Sequence, residues 1–429
     1  MSIGRQRQNA IYSAGVFGRT PAVPTDFAEL ERRAKKAMGQ RAWAYIGGGA
    51  GEGTTMEANR AAFDRWSIVP RVLRDVSQRN LSVELFGKTL AAPVLFSPVG
   101  AGELAQRDSD LLIGAAAAEL GVPYILSNQG CSPMEETAAA MEAVREGAPR
   151  WFQLYWSTDD ALVESLVRRA EECGADALVV TLDTTMLGWR PQDLNLGSLP
   201  FARGEGIAQY TSDPRFQQIV TERVAESAGT QAGPRPRVTA AAVAALVSMA
   251  RHLPGGTWAN LRSPIPRASV ETFLDIYSRP SLNWDDIAGL CARTSLPVVL
   301  KGILHPDDAR RAVDLGVDGI LVSNHGGRQI DRSVASLDAL VDIVDAVRGR
   351  AKVLLDSGIR TGADAYIALA LGADAVCIGR PHMYGLAIAG QTGAREAVAN
   401  IIAELDLTLG LSGQTDVADL TREMLRRRD

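Results

Sequence analysis

The chain has 429 residues, with 45 Lys+Arg against 50 Asp+Glu and a formal net charge of -5. That balance, with 46% hydrophobic and 22% charged residues, excludes wholesale disorder and gives no basic excess for nucleic acid. No apolar run approaches the roughly 18 residues that span a bilayer. Residues 1–9 carry no signal-peptide core, and Cys131, Cys173, Cys291 and Cys377 form no CxxC pair. The expectation is a cytoplasmic protein with reduced cysteines.

Residues 1–90 read as an N-terminal extension. It holds a helix from Thr25, the glycine-rich Gly47–Gly53, and a hairpin of Leu81–Val83 followed by Phe86–Leu90. Eight short apolar runs then follow: Pro93–Ser97, Pro123–Ser127, Trp151–Tyr155, Ala177–Leu182, Pro297–Lys301, Gly319–Ser323, Lys352–Asp356 and Ala375–Gly379. Helical spacing appears between them at Leu111–Leu120, Ala161–Cys173, Pro306–Leu315, Leu337–Val347 and Ala363–Leu371. Pro306 with Asp307 and Asp308 reads as a helix first turn. Eight strand–helix units predict an α/β fold, a (β/α)8 TIM barrel; a doubly wound open sheet is the rival. Residues 202–283 interrupt the repeat after the fourth strand and read as an insertion, a lid or binding loop within a single 1–429 domain. Within it, Glu226–Arg237 reads as a loop and Ala240–Ala250 as a helix.

Gly47–Gly53 lacks the dinucleotide fingerprint, and there is no HExxH, GxSxG or paired Cys/His spacing, so no metal site is expected. The strand ends carry chemistry instead. Ser323-Asn324-His325-Gly326-Gly327-Arg328-Gln329 places an imidazole and a guanidinium after the sixth strand, suited to proton transfer on an anionic substrate. Asp183 after the fourth strand would raise the basicity of His325 and fix its tautomer. Arg190 offers a second carboxylate clamp, Tyr155 a hydroxyl, and Lys301 an ammonium too costly to bury unless it faces an anion. Asp356–Gly362 and Gly379-Arg380-Pro381 are glycine- and arginine-bearing turns after strands seven and eight, where barrels bind phosphate.

These residues resemble the FMN-dependent α-hydroxy-acid oxidase and dehydrogenase family. The likeness covers nearly the whole chain outside 220–275, including Tyr45, Asn59 and Pro70–Leu73. It implies FMN as cofactor. His325 would be the base, paired with Asp183. Arg328 and Arg190 would bind the substrate carboxylate with Tyr45, and Tyr155 the substrate oxygen. Lys301 would stabilise negative charge on reduced flavin, and Ser127, Gln153, Thr181 and Ser323 would contact the flavin or its ribityl chain. Pro98, Val99 and Gly100 would lie near the reactive nitrogen, and Asp356, Gly358, Arg360, Gly379 and Arg380 at the ribityl-phosphate end.

Within the family, Leu187–Leu194 and Pro200–Gly204 resemble the lactate 2-monooxygenase branch, as does Gly100, where oxidases have alanine. That branch turns lactate and O2 into acetate, carbon dioxide and water. The alternatives are an oxidase releasing keto acid and peroxide, a membrane-associated quinone-linked dehydrogenase, or an enzyme for a larger hydroxy acid or amine analogue. A non-catalytic FMN-binding scaffold would need neither a base nor two carboxylate clamps. Gln129 stands where relatives have a substrate-facing aromatic, and favours a substrate with its own hydrogen-bonding group. The resemblance also implies a homo-oligomer, tetramer or octamer, and O2 as acceptor.

Overall fold

A computed structural model describes residues 2–227 and 239–428. All eight predicted strands form, six of them trimmed by a residue or two, the third shifted back by one residue and the fifth running on to Ile303: β1 (Val94–Phe96), β2 (Tyr124–Leu126), β3 (Arg150–Leu154), β4 (Leu178–Thr181), β5 (Val298–Ile303), β6 (Gly319–Val322), β7 (Lys352–Leu355) and β8 (Ala375–Ile378). They pair in parallel, in chain order. β8 closes on β1 through Val376–Val94, Cys377–Leu95 and Ile378–Phe96. The closed barrel eliminates the open-sheet rival.

Helices alternate with the strands: α1 (Ser109–Leu120), α2 (Met134–Val144), α3 (Asp160–Glu172), α4 (Trp284–Cys291), α5 (Pro306–Asp314), α6 (Ser336–Val347), α7 (Gly362–Ala370) and α8 (Arg380–Leu411). The α5 start follows the sequence, with Pro306 in the first turn and Asp307 and Asp308 behind a His305 cap. Alternation sorts the strand residues. Val94, Phe96, Tyr124 and Leu126 join the large core beneath the helices, while Leu95, Ile125, Val179, Val299 and Leu321 form a separate buried cluster inside the barrel. That interior is therefore filled, and chemistry is confined to the rim where the strands end.

The hairpin in the extension differs from the expected register. Its strands are Val83–Leu85 and Lys88–Leu90, joined at Phe86 and Gly87, both with positive φ. A two-residue turn with two positive φ values matches strand twist, and it moves the first strand two residues along. Leu85 and Leu90 then close the interior cluster from below, with Phe86 against Trp151.

The 202–283 insertion is mostly helical among the described residues: Ala208–Thr211, Pro214–Ser227, Ala240–His252, Thr257–Asn260 and Ile265–Ile276. The expected Glu226–Arg237 loop begins two residues late, since Glu226 and Ser227 end a helix; its positions 228–237 lie outside the described residues. No helix among the described residues is long and apolar enough to cross a membrane.

Candidate active site

The loops after the barrel strands enclose one cleft. Pro98, Val99, Gly100, Gln129, Tyr155, Arg190, Lys301, His325, Arg328, Asp356, Gly358, Arg360, Gly379 and Arg380 line it, with Tyr45 from the extension. The structure thus brings together residues separated by more than 300 positions. Ser127, Gln153 and Thr181 sit just behind, at the ends of β2, β3 and β4. They form a buried relay: Ser127 Oγ donates to Gln153 Oε1 at 3.2 Å, and Gln153 Nε2 to Thr181 Oγ1 at 3.0 Å.

His325 is held in place before any ligand arrives. Its φ is +58°, a strained value for a non-glycine residue, followed by Gly326 and Gly327 at +64° and +74°. Its backbone N–H donates to Ser323 Oγ at 3.0 Å, and Gly326 N–H to Ser357 Oγ at 2.9 Å. His325 Nδ1 lies 2.8 Å from Asp183 Oδ1, and Thr184 Oγ1 donates to the same Asp183 oxygen at 2.8 Å. Nδ1 is thereby assigned to the carboxylate, and the imidazole lines the cavity with no partner on Nε2 among the described residues. Lys301 Nζ sits 3.3 Å from Asp183 Oδ2 and 3.9 Å from Asp356 Oδ2, so the buried ammonium has two anions. Asp356 also accepts from Ser97 Oγ at 2.9 Å and Ser323 Oγ at 2.8 Å.

The electrostatics correct one expectation. Asp183 does favour protonated His325, but burial outweighs it, and Lys301 adds to burial; the His325 pKa lies below its ordinary value. Burial would raise Asp183, yet the charges of His325 and Lys301 hold it below the carboxylate range. Burial, reinforced by Asp183, pushes the Tyr155 phenol up, so it stays protonated and can donate.

The opposite wall carries excess positive charge. Arg190 Nε donates to the Arg328 carbonyl at 3.0 Å, and its Nη2 to Gln329 Oε1 at 2.8 Å. Arg328 donates to the Tyr45 and Gly48 carbonyls, and its guanidinium lies 4.8 Å from the centre of the Tyr45 ring. Burial depresses the Arg328 pKa and neighbouring Arg190 depresses it further. At the other end Arg360 stacks on Phe27 at 4.4 Å, and its pKa is pushed down by burial and then by Arg380. Arg380 donates to Gly326 O at 3.0 Å and Gly48 O at 2.9 Å. The Nε atoms of Arg360 and Arg380 are buried with no hydrogen-bond partner among the described residues. Like charges crowd both clusters, and the second also keeps unspent donors, which suits it to an anion. α8 begins at Arg380, within the second cluster. Gly358, at φ +103° with a Cβ position 2.8 Å from the Asn59 carbonyl, admits no other residue there.

The sequence reading missed Ser97, Thr184 and Ser357, single hydroxyls beside the predicted acids and histidine. It also missed an aromatic wall: Phe201 meets Tyr45 edge-on at 6.2 Å and Phe273 at 5.4 Å, and Phe273 stacks on Tyr277 at 4.9 Å. Phe201 and Tyr277 line the cleft. Only the fold brings Phe273 and Tyr277, in the insertion, to Phe201.

Comparison with known proteins matches this arrangement. The family model described as FMN-dependent dehydrogenase covers residues 34–427. The chain belongs to that family. It is 42% identical to an FMN-dependent α-hydroxy acid dehydrogenase of Penicillium citrinum, over 98% of this chain and 95% of the relative. It is 40% identical to an L-lactate oxidase of Lysinibacillus sphaericus, over 95% and 94%. Mandelate oxidase solved with (S)-4-hydroxymandelic acid superposes with a TM-score of 0.75 at 34% identity, covering 94% of this chain and 99% of that one. The protein is therefore an FMN-dependent 2-hydroxy-acid oxidoreductase. The two orphaned guanidinium nitrogens, the helix start and the glycine turn fit the phosphate of FMN.

Proposed function

We propose that the protein oxidises an L-2-hydroxy acid to the 2-keto acid and passes the electrons to O2. The observation that carries this is the His325–Asp183 pair, 2.8 Å apart, facing two guanidiniums and a phenol across one cleft. The substrate carboxylate lies between Arg190 and Arg328, with the Tyr45 hydroxyl beside it. The C2 hydroxyl meets Tyr155 and His325. His325 Nε2 takes the substrate proton, and Asp183 stabilises the resulting imidazolium without being protonated itself. FMN, when bound, supplies the two-electron acceptor. Lys301 places positive charge where negative charge develops in the reduced cofactor, and its two carboxylate partners fix its position. Arg360, Arg380, Gly358 and Gly379 hold the phosphate end. Ser97, Ser323 and Asp356, with Ser127, Gln153 and Thr181, orient the rest.

Two outcomes follow reoxidation by O2. Release of the keto acid first gives keto acid and hydrogen peroxide; the oxidase names of the relatives support this route. Retention of the keto acid lets peroxide decarboxylate it: lactate gives acetate, carbon dioxide and water. Gly100 in the cavity lining supports this second route. A Cβ there would stand 2.8 Å from Gln129 Cβ and 3.1 Å from Gln129 Oε1, so close approach of residue 129 is a second reason for the glycine. Product analysis in air decides: keto acid with stoichiometric peroxide is oxidase chemistry, and the acid shortened by one carbon is monooxygenase chemistry. Absence of both products from L-lactate and L-mandelate, with FMN bound, would overturn the reading. We propose a cytoplasmic homo-oligomer, tetramer or octamer. The four free cysteines support a reducing compartment, and the exposed Tyr12, Val16 and Phe17 on the N-terminal helix support self-association.

A further inference from the structure

Gln129 is only 6% exposed, yet its side-chain amide hydrogen-bonds to nothing among the described residues. The backbone around it is fully engaged. Its N–H donates to Ser127 Oγ at 3.1 Å, and its carbonyl accepts from Ala101 N–H at 2.9 Å. The amide is not sealed into the core, because Gln129 lines the cleft beside Tyr45, Tyr155, Phe201 and Tyr277. The amide carries two donors and an acceptor that open onto the cleft, where a bound substrate can complete them.

The chain also makes room for this amide. An alanine methyl at position 100 would come within 2.8 Å of Gln129 Cβ and 3.1 Å of Gln129 Oε1. The first contact involves the root of the side chain, which cannot swing away as its tip could. Any side chain at 129 carries that Cβ; the contact particular to glutamine is the one with Oε1, so Gly100 leaves room for the amide in the position it holds. The remaining wall is aromatic. Phe201 and Tyr277 are backed by Phe273, and Tyr210 packs edge-on against Phe273 at 4.8 Å.

Resting on the hydroxy-acid reading above, we propose that Gln129 is a specificity-determining residue, and that the substrate's C2 side chain carries a neutral hydrogen-bonding group that the Gln129 amide receives. The carboxylate and C2 hydroxyl are served by the two arginines, Tyr155 and His325. A polar amide on a largely aromatic wall serves a third point of recognition. It discriminates a hydroxyl from a methyl of equal size, because the methyl leaves the amide unpaired.

The test uses isosteric pairs on the FMN-loaded enzyme: L-2,4-dihydroxybutanoate against L-2-hydroxypentanoate, and (S)-4-hydroxymandelate against (S)-4-methylmandelate. Anaerobic flavin reduction is read for each. The expected result is a preference for the hydroxyl member of about tenfold or more in at least one pair. Gln129→Leu should bring that ratio to about one, and Gln129→Asn should leave it intermediate. Equal reduction by both members of both pairs would overturn the proposal and leave hydroxy-acid oxidation standing. A preference that survives Gln129→Leu would do the same. A changed flavin potential in Gln129→Leu with the preference intact would assign the amide to the cofactor instead. Failure of all four acids to reduce the flavin would remove the hydroxy-acid reading itself, and this inference with it.

Discussion

The two walls of the cleft treat charge in opposite ways. On one, Asp183, Lys301, Asp356, Ser97 and Ser323 satisfy one another around His325, and the imidazole alone keeps a free nitrogen. On the other, four arginines crowd together and, among the described residues, have only backbone carbonyls, an amide and a thioether as hydrogen-bond acceptors, with two of their nitrogens unpartnered. The first wall is complete without a ligand, so its geometry is set before substrate arrives; that is what proton transfer needs. The second is incomplete: Asp193 near Arg190 and Arg328, and Glu31 near Arg360, offset only part of its charge, so it gains when an anion arrives; that is what binding needs. The difference separates residues whose loss should stop chemistry from residues whose loss should weaken binding.

Variants can break or sharpen that separation. Asp183→Asn should cut flavin reduction by about a thousandfold or more, because the imidazolium loses its counter-charge and the tautomer its anchor. FMN content, read from the absorbance of the purified protein, should be unchanged. On the opposite wall, Arg328→Met should raise the substrate dissociation constant about thirtyfold, near 2 kcal/mol for a charge-assisted pair, in steady-state and binding titrations. Limiting reduction at saturation should fall much less. Arg380→Met should weaken FMN retention about tenfold, measured by flavin release on dilution, because one phosphate-facing guanidinium is lost while helix α8 remains.

The pH profile sharpens the comparison with the smallest effect. Burial lowers the His325 pKa, so the base is neutral above that value and takes a proton as pH falls through it. kcat/KM should therefore be flat near neutrality and fall about tenfold per pH unit on an acid limb. The midpoint should lie below histidine's ordinary pKa of 6.5. A midpoint above that value would mean that the Asp183 charge dominates burial.

The barrel and most of this site are legible in the sequence because closure forces every strand end onto one rim. Once eight runs are counted, a polar residue ending a run is a rim residue, and His325, Asp356 and Lys301 follow. The hairpin register was less legible. Gly87 marks the turn, but Phe86, which also takes a positive φ there and packs on Trp151, is not a residue that announces one. The aromatic wall was not legible at all, since Phe201 and Phe273 are 72 positions apart and meet only when the insertion folds. The direction of the His325 shift also lay beyond the sequence. A neighbouring carboxylate argues for a raised pKa, and only burial and the position of Lys301 reverse it.

The central claim is that His325 accepts the substrate proton while the rest of the cleft binds. It is tested most directly by rapid anaerobic mixing of FMN-loaded His325→Gln with L-lactate, L-mandelate and the best of the hydroxylated acids. The account predicts an oxidised flavin band that shifts on binding, since both arginines remain, and bleaches at least about a thousandfold more slowly than in the unaltered enzyme. Bleaching at the unaltered rate would contradict the assignment of His325 and the division of labour between the two walls.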